Sequence, residues 1–135
     1  MLATHHYFSN ALGAIDFVPD AYVLLRWSGQ PLSSLELRAL YVHARNALER
    51  TGLCCLLVDH RTMPTLPDIA DQEWLLTQWL PETVARTRTT HYAALPALDP
   101  ACRLHTEPVV QDLRRYLSVA LFDNPEQAAA WFHAA

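Results

Sequence analysis

Asp59, His60 and Arg61 stand side by side where the apolar run "LCCLLV" (53–58) stops. A carboxylate, an imidazole and a guanidinium in such a place could serve acid–base chemistry, anion recognition, or nothing beyond ending a strand in water. An aspartate at the end of a buried strand is also where phosphoryl acceptors often lie, but that chemistry calls for further carboxylates to hold Mg²⁺ and for a nearby lysine. All ten basic residues are arginines, and no acidic pair ends another apolar run. Asp59 therefore reads as an acceptor for the amides of the loop that follows it.

Other chemistries find less support. Seven histidines raise a metal reading, with His60, His91 and His105 as the three that strand ends and a loop could bring together, yet there is no HExxH, HxH or Cys/His ligand spacing. Cys54 and Cys55 lie in the apolar run and Cys102 stands alone; without a CxxC pair they read as small buried hydrophobes in the reduced state. There is no GxSxG nucleophile turn, and glycines only at 13, 29 and 52 cannot build a phosphate cradle. The lack of lysine removes Schiff-base and Walker-type chemistry. The sequence thus predicts a non-enzymatic chain with no cofactor and no bound metal.

Recognition is better provided for. Arg61 can pair with a carboxylate or phosphate in bidentate fashion. In "DQEWLLTQWLPETV" the tryptophans at 74 and 79 are five apart, so on a regular helix they cannot both face a sheet. Either one is exposed, and with Met63 and Leu66 forms an apolar patch for a partner or small ligand, or both finish in the core.

The elements that must position these residues follow from patterning. Gly13–Phe17 and Tyr22–Trp27 flank the turn residues Pro19 and Asp20, an edge hairpin. Ser33 and Glu36 have capping-box spacing, Leu37, Leu40, Tyr41, Ala44, Ala47 and Leu48 recur at three and four, and Gly52 stands where a left-handed cap belongs. The run ending at Asp59 reads as a central parallel strand covered on both faces. A helix follows from Asp68, with a kink or restart at Pro81, then a strand at "THYAALPA", helix within Asp99–Arg115, a strand at "YLSVALF", and a last helix capped by Asn124 with Pro125 in its first turn. The order ββαβαβαβα predicts an α/β domain over 1–135 with a mixed, mostly parallel sheet, about four helices and a flexible lead over 1–12. Ligands in such sheets sit at the carboxyl ends of strands, where Asp59 lies.

Composition narrows the partners. A net charge of −4 with no basic cluster gives no footprint for nucleic acid. Hydrophobic content of 51% without a long apolar run suits a globular, soluble chain with no stable membrane insertion. The start "MLATHHYFSNALG" lacks the pattern of a secretory signal, which makes the cytoplasm the expected compartment.

"LLVDHRTMPTLPDIADQEWLLTQWLPETV", with "AYVLLRWSGQ" before it and "THYAALPA" and "LFDNPEQAAAWF" after it, resembles the SpoIIAA-like proteins, the STAS/SEC14-type domains, from about residue 16 to 132. The resemblance implies a mixed sheet with helices mainly on one side, and a regulatory or interaction role. In STAS domains a serine at the start of the helix after the corresponding strand is phosphorylated; here "PTLPDIADQEW" offers Thr65 near that place and neither serine nor glycine. The expected function is binding of a protein partner, or self-association as a homodimer, through Asp59, Arg61, Met63, Thr65, Trp74 and Trp79. The alternative is a small apolar ligand or lipid beneath the same loop.

Overall fold

β1 (His5–Asn10), β2 (Gly13–Val18) and β3 (Tyr22–Trp27) form an antiparallel meander, and β3 then pairs in parallel with β4 (Cys55–Asp59), followed by β5 (His91–Leu95) and β6 (Ser118–Leu121), so that the six strands lie in chain order. The computed structural model describes residues 3–104 and 106–134. The architecture is the expected α/β type with a mixed sheet, but it holds one strand more. Residues 5–10 lie within the stretch read as a flexible lead, and they form edge strand β1, which the short polar pattern "HHYFSN" did not announce. A bulge between His6 and Phe8 shifts its register against β2.

Strand order dictates where the helices go. Each parallel step runs in the same direction across the sheet, and right-handed crossovers taken repeatedly in one direction place every crossover helix on the same face. α1 (Ser34–Thr51) bridges β3 to β4; α2 (Ile69–Trp74), a π-helical segment (Leu75–Trp79) and α3 (Leu80–Arg86) bridge β4 to β5; α4 (Pro100–Leu104) and α5 (Thr106–Leu113) bridge β5 to β6. The larger core lies between these helices and the sheet face carrying Ile15, Val23, Leu25, Leu56, Val58, Tyr92 and Val119. Among the described residues only α6 (Pro125–Ala134), which follows the last strand, covers the opposite face, packing Ala128 and Phe132 on Cys55, Leu57, Ala93 and Leu95. Among the described residues no helix is long and apolar enough to cross a membrane.

The local rules hold closely in α1 and α6. The Ser33 hydroxyl accepts from the Glu36 amide, Gly52 closes α1 at φ 71° and donates to Leu48, and the buried face is Leu37, Leu40, Tyr41, Ala44, Ala47 and Leu48. A left-handed residue is needed there to satisfy the last carbonyls, and glycine adopts it without a Cβ clash. In α6 the Gln127 amide donates to Asn124 Oδ1 at 2.9 Å, and Asp123 N donates to Gln127 Oε1. Asp71, buried in the first turn of α2, accepts from Ser34 Oγ at 2.6 Å and Arg38 Nε at 2.9 Å, tying α2 to the start of α1.

Gly13 has a packing reason of its own: a Cβ there would run into the Arg26 carbonyl of the paired strand, with Leu40 behind it. Gly13→Ala is expected to destabilise the fold by about 1–3 kcal/mol, the range for overpacking a tight site. The urea midpoint checks this; an unchanged midpoint would show that β2 and β3 can separate freely there.

Candidate functional site

The pleat divides the charged triplet that ends β4. Leu56 and Val58 face the larger core while Cys55 and Leu57 face α6; continued alternation sends Asp59 to the α6 side and His60 to the crossover side. Asp59 and Arg61 satisfy one another. Asp59 Oδ1 accepts from the Arg61 amide and from Nε, both at 3.0 Å, and Oδ2 accepts from the guanidinium at 2.8 Å. Burial alone would lift the Asp59 carboxyl, but the Arg61 side chain and amide, the Arg61 charge and then His60 outweigh it, and the net shift is downward. Arg61 thus spends its bidentate geometry on a neighbour two residues away, holding the turn.

The rest of the loop is fastened to the sheet. His60 N donates to Leu95 O at 2.9 Å, Met63 N to His60 O at 3.0 Å, Leu98 N to Arg61 O at 3.2 Å, and Thr62 Oγ1 to Trp27 O at 2.7 Å. Met63 is 6% exposed and points inward, while Thr65 lies exposed on the loop. Beneath this loop is a cavity of about 120 Å³, walled by Leu66 and Pro67 above, Leu75, Leu76 and Trp79 of the π-helical segment, and Val110 of α5. Its floor is Ala94 of β5, with Ala97 beyond the strand end. Alanines here, beside a strand carrying Leu56 and Val58, leave the space open.

The π-helical segment decides the position of both tryptophans. Pro81 has no N–H to give to Thr77, and its ring would press on that carbonyl, so the preceding turn widens. Leu80 N accordingly donates to Leu75 O, five residues back. In such a turn, residues five apart come onto one side of the helix. Trp79 is 3% exposed, its Nε1 donates to the Tyr41 carbonyl at 2.6 Å, and its ring meets that of Tyr41 edge-on at 5.1 Å. Trp74 is half-buried against the same core, with the Arg38 guanidinium 5.2 Å above its ring. The regular-helix premise fails at this point, and neither tryptophan stands out as an exposed anchor.

Three residues missed as a group in the sequence give the cavity polar character: Tyr41, His60 and Tyr92 all line it. Burial raises the phenol of Tyr41 despite its hydrogen bond with Tyr92; burial and then the proximity of Tyr41 raise that of Tyr92. Both stay protonated. His60 is pushed down to about 4 by burial, with the Asp59 charge opposing, so its imidazole is neutral at pH 7. Burial and then Asp99 raise the Cys102 thiol, also on the lining, which leaves it a poor nucleophile. Tyr92, which follows His91 and precedes two alanines in "TTHYAAL", was the available signal, a large polar-tipped ring beside small residues on the same strand.

The histidine constellation does not assemble. His91 starts β5, where it pairs in register with Cys55 and packs edge-on against Trp131 of α6; His60 lies past the far end of β4, roughly 15 Å along the sheet and on the other face. His105 lies outside the described residues. Among the described residues no three His, Cys, Asp or Glu side chains gather in a metal-binding group.

Comparison with protein-family models, with curated proteins and with solved structures returns no match.

A histidine whose folded value lies below its ordinary 6.5 leaves the unfolded chain as the better proton acceptor. Stability associated with His60 is therefore intact above about pH 6.5 and falls as pH drops toward about 4. NMR titration should show the His60 imidazole neutral until near pH 4, with the urea midpoint declining over that window and declining less in His60→Gln. An imidazole that titrates near 6.5 would contradict this environment.

Proposed function

We propose that this chain is a non-enzymatic binding module that takes a small, largely apolar ligand in the cavity beneath the 60–67 loop. The observation that carries the reading is the cavity itself, an apolar pocket at the carboxyl ends of parallel strands with a few polar side chains on its wall, which is the common form of a ligand site. The inward positions of Met63 and Trp79, and the pairing of Arg61 with Asp59, favour a ligand within over a partner gripped by these side chains. Asp59 and Arg61 then act as the clasp of the loop and Met63 as part of its underside. The resemblance to STAS/SEC14-type domains fits the same picture, since crossover helices on one face of a mixed sheet are what that family would supply.

A second reading, binding of a protein partner or a second copy through the outer side of the loop, is favoured by Ile69, which stands 74% exposed at the start of α2 beyond exposed Thr65.

Benzene titrated into ¹³C-methyl-labelled protein should give saturable shifts at the Met63 methyl, and Ala94→Phe, which fills the floor, should abolish them while the circular dichroism spectrum stays native. Absence of saturable shifts in the wild type up to the solubility of benzene would overturn the ligand reading. For the outer surface, Ile69→Ser should leave benzene binding intact and remove any concentration-dependent mass seen by light scattering; a mass that stays monomeric in the wild type removes self-association.

A further inference from the structure

We propose that the cavity selects an uncharged single-ring molecule bearing one hydroxyl group, a phenol or ring alcohol by chemical class. This rests on the ligand-binding reading above and gives it a specificity.

Size comes first. A volume of about 120 Å³ is of the same order as the roughly 150 Å³ of an engineered apolar cavity that accepts benzene, so a single ring is the largest group it takes. Charge comes second. Among the described residues no aspartate, glutamate or arginine lines the cavity, so a carboxylate or ammonium would enter without a counter-charge and without its water.

Hydrogen-bonding chemistry comes third. Tyr41 and His60 both lie near the ring of Trp27, with centroids 6.0 Å and 6.3 Å away, and Tyr41, His60 and Tyr92 all line the cavity. Gln72, whose side-chain nitrogen donates to the Pro67 carbonyl at 2.7 Å, is a further polar residue on the wall. Each phenol can both donate and accept a hydrogen bond. A neutral imidazole offers one donor and one acceptor, and that of His60 lies on the cavity wall. A ligand hydroxyl can accept from a phenol and donate to the imidazole nitrogen together. An ether or ketone only accepts, and a plain hydrocarbon does neither.

Benzene, phenol and benzoate distinguish the possibilities when each is titrated at pH 7 against the full chain and followed at the Met63 methyl. Phenol is expected to bind at least about threefold more tightly than benzene, the effect of one net hydrogen bond, and benzoate at least about tenfold more weakly than phenol. In Tyr41→Phe/Tyr92→Phe, benzene should bind as in the wild type or better, and the advantage of phenol should shrink toward unity. Equal binding of phenol and benzene, or benzoate binding as well as phenol, overturns the proposed selectivity while leaving the ligand site standing. An unchanged phenol-to-benzene ratio in the double variant overturns the role of the phenols. Failure of all three probes in the wild type points instead to the ligand reading itself.

Discussion

The hydrogen bond from the Trp79 indole to the Tyr41 carbonyl holds the two walls of the cavity in place. It joins the middle of α1 to the widened turn before Pro81. A helical carbonyl has a second lone pair to spare, so α1 keeps its own ladder while accepting this extra donor. The bond is buried, and an indole N–H left without it would cost about 1–3 kcal/mol. Around it the ion pairs of Arg86 with Glu49 and Glu82 are surface contacts of small value; the indole bond and the packing of Trp79 on Tyr41 fix the spacing of the helices. With that spacing set, the small side chains at Ala94 and Ala97 are not overrun by their neighbours, and empty volume persists between helix and sheet.

The position of that volume follows from chain direction. Strands added one after another toward β6 force the crossovers onto one face, and each parallel strand then ends at the same edge of the sheet. Loops leaving those ends must climb over the crossover side, and the 60–67 loop does so directly above Ala94. The Asp59–Arg61 pair closes the turn at the point of departure, on the α6 side, while His60 reaches the other way. Three adjacent ionisable residues thus serve two separate tasks, and the pleat of the strand is what separates them.

Local rules made α1, the β2–β3 hairpin, β4 and the capping of α6 legible, because each depends on residues within a turn or two of one another. Ser33 and Glu36, Gly52, and the triplet Asn124, Pro125 and Gln127 carry their own geometry. β1 was not legible: "HHYFSN" has weak alternation, and its place depends on pairing with β2 rather than on its own side chains. The tryptophan pair misled because a 3.6-residue period was applied across a turn that Pro81 widens, although the proline itself was in plain view. The cavity was least legible. Met63 and Trp79 were singled out from the sequence, but Tyr41, Tyr92 and Ala94 come from α1 and β5, and only the tertiary fold brings them to the same space as His60. A void has no sequence motif; it is the difference between what the backbone spacing allows and what the side chains fill.

The bulge in β1 has a consequence for the behaviour of the chain in concentrated solution. A flat terminal strand presents a row of unpaired amides and carbonyls that can template another copy, and sheets extended in that way grow into fibres. β1 is the free margin of this sheet; the shift between His6 and Phe8 breaks the even spacing of its outward amides and twists the strand. The polar His5, His6, Ser9 and Asn10 along the same strand add hydration where an incoming strand would dock, so the margin is built to resist polymer growth.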